Sequence, residues 1–272
     1  MKLKLFRPDY LLAPLLLLLF TPVPANAEGF SVLVAPPRYE LRAKPGDVVR
    51  DHLEINNPGS RPVTFLMRTA DWDMTEAGAA SFHGPALQAG SCRPWIRIER
   101  HKIRLPAQGK KRYRFEIHVP DDAPTGECRA ALLVEAPPED AVETRAGSLN
   151  LPIKGRIAVV IYLAIGDAAP QLQLTDTVLD HYNGVQTPYI VVKNSGNAHG
   201  RTTGFVDAID ADNKRFEFEI TPLPILPGQT RRIPLFQPVI DEQQPAPFSP
   251  PLELKGTIEW NGGKEKFTRH VE

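Results

Sequence analysis

The sequence predicts an all-β chain folded as two β-sandwiches in tandem. Three observations carry that reading. Proline is abundant, 28 of 272 residues, and turn signals recur at the short spacing expected of stacked strands. Apolar residues alternate with period two in several runs, while no segment carries a convincing 3.6-residue period. Beyond residues 1–27 the remaining length suits two domains of roughly 100–140 residues each.

The first 27 residues read as a secretory signal. Lys2, Lys4 and Arg7 precede a leucine-rich run over residues 11–20, and Ala25-Asn26-Ala27 offers an A-x-A site with cleavage after Ala27. That run contains Pro14 and is too short to cross about 30 Å of hydrocarbon. No later stretch reaches the length of a spanning helix, so the mature chain is expected to carry no transmembrane segment. Without its three Lys/Arg and one Asp, 29 basic side chains face 31 acidic ones. Export and that balance argue against nucleic acid as a partner.

The first domain is expected over residues 28–165. Residues 30–34 and 39–42 read as strands separated by Pro36-Pro37-Arg38, and Pro45-Gly46-Asp47 turns the chain. Val49, Leu53 and Ile55 lead to Asn56-Asn57-Pro58-Gly59, a strong turn signal, after which Val63, Phe65 and Met67 alternate. Residues 95–105 and 112–119 read as a hairpin around Pro106-Ala107-Gln108-Gly109. Its apolar parity changes midway, from Ile96 and Ile98 to Ile103 and Leu105. One strand cannot bury both sets, so a bulge or break is expected near Arg100-His101. Residues 130–134 form a short buried strand, and the polar, acidic residues 137–147 an exposed loop.

Only two cysteines occur. Cys92 precedes the hairpin and Cys128 opens the strand after it, which puts both at one pole of the sandwich. A bridge there would stabilise by roughly 3–4 kcal/mol in the loop-entropy picture; two buried free thiols are the alternative. No C-x-x-C motif for thiol redox chemistry is present.

Residues 149–163 carry the longest alternation. Leu149, Leu151, Ile153, Gly155, Ile157, Val159, Ile161 and Leu163 share one parity. As one strand it would run about 50 Å at roughly 3.3 Å per residue. Pro152 cannot donate a ladder bond, so the first half belongs at a sheet edge. A long apolar edge is an aggregation hazard, and a chain that keeps one is expected to hold another chain by strand addition. A strand buried within its own sandwich is the plainer reading.

Residues 166–170 are the expected interdomain hinge, and the second domain takes residues 166–272. Leu172 and Leu174, then residues 189–193, 202–209, 216–220, 231–236, 252–260 and 266–271, read as strands. Asn194-Ser195-Gly196-Asn197, residues 210–214, Pro227-Gly228 and Asn261-Gly262-Gly263 supply turns, and the proline-rich residues 238–251 a loop.

Catalytic patterns are absent. The seven histidines show no ligand spacing, Asp71-x-Asp73 lacks the rest of a calcium loop, and no nucleophile-elbow, zinc-protease or phosphate-loop motif occurs. The chain is therefore expected not to be an enzyme and to carry neither metal nor cofactor. The main electrostatic feature is a basic cluster from Arg93 to Arg114 in which Arg97, Arg112 and Arg114 would alternate outward on the hairpin. Such a face suits an anionic partner. A solvated face offset by acidic strands is the simpler alternative.

Several segments together resemble the PapD-type periplasmic chaperones of chaperone–usher pili. They are Pro37-Arg38-Tyr39-Glu40-Leu41, Leu53-x-Ile55-x-Asn57, Ile103-x-Leu105-Pro106, Lys111-x-Tyr113-Arg114-Phe115, and Leu132 through Pro137-Pro138 into the alternating strand. The resemblance spans roughly residues 30–165. It implies two immunoglobulin-like domains in an L shape, a periplasmic location, and a partner subunit with an incomplete β-fold, delivered to an outer-membrane usher. Arg38 falls where the family anchors the subunit's C-terminal carboxylate, a task suited to guanidinium. Leu149, Leu151 and Ile153 fall on the donor edge. The family's anchoring lysine maps to Ala158 or Val159, which cannot bind a carboxylate, leaving Lys154 or Arg156 as substitutes on the same strand. That departure implies a divergent branch. From another class stands a structural or adhesive envelope module that binds through Arg97, Arg112 and Arg114.

Overall fold

A computed structural model describes residues 31–76, 78–137, 142–146, 149–153, 155–238 and 245–272. The expected signal peptide and Lys154 lie outside these residues. In chain order the first sandwich contains β1 (Leu33–Ala35), β2 (Arg38–Ala43), β3 (Val48–Asn56), β4 (Val63–Ala70), β5 (Trp72–Met74), β6 (Ala80–Phe82), β7 (Ile96–Ile98), β8 (Lys102–Leu105), β9 (Lys110–His118), β10 (Gly126–Glu135), β11 (Val142–Ala146), β12 (Leu149–Ile153) and β13 (Arg156–Ile165). The second contains β14 (Leu172–Tyr182), β15 (Val185–Asn194), β16 (Gly200–Arg201), β17 (Phe205–Ile209), β18 (Arg215–Ile220), β19 (Pro224–Ile225), β20 (Thr230–Phe236), β21 (Leu252–Trp260) and β22 (Gly263–Val271). The molecule is all-β, two immunoglobulin-like sandwiches in tandem.

In the first sandwich β1-β3-β9-β7 faces β2-β13-β10-β4-β8. Period two aims Leu53, Ile55, Tyr113, Phe115 and Ile117 inward from one sheet, and Phe65, Met67, Leu132, Val134, Ile161 and Leu163 from the other. Two strands change sheets. The chain passes from β1 to β2 through Pro36-Pro37, whose missing N–H groups suit a gap between ladders. It passes from β7 to β8 through residues 99–101, at the parity change that led us to expect a break. The predicted hairpin is corrected accordingly: only β7 pairs with β9, whereas β8 pairs with β4. Each half keeps its own parity because each faces the core from a different sheet.

Two further expectations are overturned. The alternating run is not described as one strand from residue 149 to 163: β12 ends at Ile153 and β13 begins at Arg156, with Gly155 before it in no strand. Residues 137–147 are not simply a loop, because β11 occupies Val142–Ala146 and pairs antiparallel with β12. Ala136 N–H donates to Gly155 O (3.0 Å), so the β10–β13 ladder runs one step toward β11–β12.

Cys92 and Cys128 stand at bridging distance, Cα to Cα 5.5 Å, at the pole where β10 begins. A short hairpin, β5–β6, covers the outer face of the sheet. Trp72 packs there with Ala131, Leu133, Tyr162 and Leu226 of the second sandwich, and its indole N–H donates to Ala130 O (2.9 Å).

In the second sandwich β14-β15-β20-β18-β17-β21-β22 wrap around Ile190, Val192, Phe218, Ile233 and Leu254. The β14–β15 hairpin extends well beyond Leu172 and Leu174. It turns at Asn183-Gly184, both with positive φ (50° and 82°), the primed turn that matches strand twist. The segment between the sandwiches is held: Gly166 N–H donates to Ala43 O (2.9 Å), and Arg42 Nη1 donates to Ala168 O (3.1 Å). Among the described residues no helix is long and apolar enough to cross a membrane.

Candidate functional site: a half-covered strand arm and the domain cleft

The arm formed by β12 and β13 is flanked unequally. On one side β10 pairs with β13 along its whole length, and β11 continues beside β12. On the other side β2 runs parallel to β13 only from Arg38, opposite Val160, to Ala43, opposite Ile165. Among the described residues, Arg156–Val159 and Leu149–Ile153 pair with no strand on that second side. Pro36-Pro37 explains where the cover stops, since β2 can begin only after them. Arg38 therefore stands at the end of the uncovered edge.

The sequence-predicted residues distribute as follows. Leu149, Leu151 and Ile153 lie on β12, with Pro152 opposite Glu143. Arg156 Nε donates to Glu135 Oε1 (2.6 Å), and Arg68 donates to the same carboxylate through Nε and Nη2 (2.6 and 2.8 Å). Burial pushes the Glu135 carboxyl up, but the Arg68 hydrogen bond and the charges of both guanidiniums outweigh it, so it titrates below the usual carboxylate range. Arg156 is thus already engaged. The basic face is broken up as well. Arg97, Arg112 and Arg114 share the outer side of β7 and β9, where Arg97 sits opposite Glu116, Arg112 opposite Glu54, and Arg114 3.7 Å from Glu99. Lys102 and Arg104 leave with β8 for the other sheet.

The structure adds a site that sequence reasoning missed. Where the sandwiches meet, a cleft of about 450 Å³ is lined by Glu40, Arg42, Glu127, Tyr162, His199 and Arg201, among others. Glu40 Oε1 accepts from Arg38 Nε on its own strand (2.8 Å) and from Arg201 Nε across the junction (3.3 Å), with His199 Nε2 at 3.8 Å. Burial pushes the Glu40 carboxyl up; the Arg38 hydrogen bond and the charges of His199, Arg201 and Arg38 reverse that and leave it low. His199 Nδ1 donates to the buried Glu127, which also accepts the His199 backbone N–H (3.0 Å). The His199 ring stacks on Tyr162 at 3.9 Å, and burial pushes the Tyr162 hydroxyl up to about 12. On the far side of the junction Arg231 donates to the backbone carbonyls of Glu76 and Thr75 (3.1 Å each), tying β5–β6 to the second sandwich. These partners are separated by up to 161 residues in sequence. In the sequence only Pro37-Arg38-Tyr39-Glu40-Leu41, with Arg38 as its candidate, points to this region.

No family model matches the chain, and no curated protein matches it. Solved structures do resemble it. The YadV chaperone is 10% identical, with a TM-score of 0.45 over 89% of this chain and 100% of that one. The class 5 fimbriae chaperone CfaA is 13% identical, TM-score 0.46, over 89% and 99%. The CupB2 chaperone of Pseudomonas aeruginosa is 11% identical, TM-score 0.44, over 88% and 100%. All three are chaperones. The likeness is one of fold, and the fold itself rests on the ladders above.

Proposed function

We propose that this chain is an exported, periplasmic chaperone-like protein that binds a subunit with an incomplete β-fold by strand addition along the 149–159 edge. The observation that carries the reading is the uneven cover of the arm, paired along one side and, among the described residues, left without a partner on the other until Arg38 meets Val160. An added strand would gain main-chain hydrogen bonds there, and the alternation of Leu149, Leu151 and Ile153 in the sequence would offer it apolar anchors. Arg38, at the end of that edge, would receive the subunit's terminal carboxylate. Assembly of a pilus or related surface structure through an usher extends the same reading.

The test is co-purification from the periplasm, with the captured protein sequenced. Leu151→Asp should abolish capture of a subunit that lacks a strand while leaving the unfolding temperature unchanged. Capture that survives Leu151→Asp ends the reading. If reversing Arg112 and Arg114 abolishes capture instead, the basic outer face of β9 carries the interaction.

A further inference from the structure

The carboxylate of Glu40 occupies an unusual place. It lies on β2 two residues from Arg38, hence on the same outward side, and its Oε1 lies within 4 Å of two guanidiniums and the His199 ring, drawn from both sandwiches. His199 is already served by Glu127 through Nδ1. Two guanidiniums, Arg38 and Arg201, therefore share one carboxylate beside a cleft wide enough for another group, and one positive charge stays unmatched. Arg42, nearby, has one nitrogen committed to Ala168 O. A second carboxylate fits this balance.

We propose that Glu40 is a built-in competitor for the carboxylate anchor: it holds Arg38 in the free chain, and Arg201 of the second sandwich retains it when a guest carboxylate takes Arg38. The inference rests on the strand-addition reading for the identity of the guest. The physics favours easy exchange. An intramolecular carboxylate has a high effective concentration, so it screens Arg38 from stray anions. Yet Arg38 and Glu40 are about half exposed, and an ion pair in that setting is worth only about a few-fold in occupancy. A guest already held by its strand displaces Glu40 without difficulty, whereas a free carboxylate in solution meets the few-fold competition unaided and binds more weakly. Because Arg201 reaches Glu40 from the other sandwich, the exchange also transmits guest arrival to the domain junction.

The test uses N-acetylvaline, a minimal chain terminus, and its amide as control, so that it does not depend on strand addition. The full chain is titrated while the Nε–H signals of Arg38 and Arg201 are followed by NMR. The acid, and not the amide, should perturb Arg38 Nε–H, with a midpoint about three- to fivefold lower in Glu40→Gln than in the natural chain. Arg201→Met should raise the midpoint in the natural background and have no further effect in Glu40→Gln, since the two residues act through one contact. Equal midpoints with and without Glu40, or equal responses to acid and amide, overturn the proposal. So does an Arg201→Met effect that persists in Glu40→Gln, or no binding in either form. Leu151→Asp that leaves subunit capture intact removes the strand-addition reading and leaves these midpoints untouched, so the two failures are distinct.

Discussion

The two halves of the β12–β13 arm share one alternating pattern and meet opposite fates. β13 is paired on one side throughout and on both sides from Val160 onward, and it sends Val159, Ile161 and Leu163 into a closed core. Among the described residues β12 pairs on one side only, with β11, in a two-stranded ladder set apart from the sandwich sheets. The difference teaches that alternation determines which side chains share a face, while neighbours decide whether an edge is closed. Here the deciding neighbour is β2, and what limits β2 is the pair of prolines, Pro36 and Pro37, directly before its first residue, Arg38.

The largest contrast is expected from one charge placed on each half. Leu163 is fully buried, so Leu163→Asp leaves a carboxyl without partners in the core and should cost on the order of 5 kcal/mol. Urea unfolding would show the first sandwich lost or nearly so. Leu151→Asp should leave the same unfolding curve in place and remove only subunit capture. Similar losses of stability for both would mean that β12 belongs to the core as much as β13 does.

A Cys92–Cys128 bridge would staple the closed half. Cys128 lies opposite Leu163 on β10, and the cysteines are 36 residues apart in sequence. Replacing both by serine should destabilise the first sandwich by roughly 3–4 kcal/mol in the loop-entropy picture, with subunit capture by the surviving folded fraction unchanged. Calorimetry of the oxidised and reduced protein would read this directly. A transition that shifts for the second sandwich instead would separate the bridge from β13.

Much of this was legible in the residues and some was not. The parity switch between Ile98 and Ile103 announced a bulge or break, which the structure shows to be a passage from sheet to sheet that lets Ile96 and Ile98 as well as Ile103 and Leu105 reach one core. Asn183-Gly184 carried a readable hairpin signal that the search for apolar runs passed over, because the strands beside it are polar on their exposed sides. β11 went unread because Val142–Ala146 has charged residues at alternate positions and an acidic lead-in, which look like solvent-exposed loop. The cleft was illegible for a different reason. Glu40, Glu127, Tyr162, His199 and Arg201 become a site only when two sandwiches dock, and no local spacing records that.

Glu135 marks the boundary between the halves, and pH should reveal it. Its folded carboxyl titrates below the ordinary value, so its pairing with Arg68 and Arg156 stabilises above the unfolded group's pKa, about 4.3, and is lost as pH falls through the folded value. Natural chain should therefore lose stability on acidification through that window, by about 2 kcal/mol for charge-assisted bonds to a largely buried group. Glu135→Gln should be less stable by that amount at neutral pH and flatter below pH 5. Equal acid slopes for the two proteins would mean the boundary is held by the backbone alone.

The smallest effect on stability is expected at Arg38, where the cover of the edge ends. Its side chain is half exposed and its partner Glu40 keeps Arg201, so Arg38→Ala should cost about 0.5 kcal/mol or less. Its effect on subunit capture should be far larger, because Arg38 opens β2 opposite Val160, where an added strand would terminate. Lysine at this position should restore the charge but not the two-pronged geometry, and so recover capture only in part. Thermal unfolding and subunit affinity measured on the same samples would separate the two quantities. Should Arg38→Ala lower both in proportion, the residue would serve the β2–β13 ladder and not the open edge beside it.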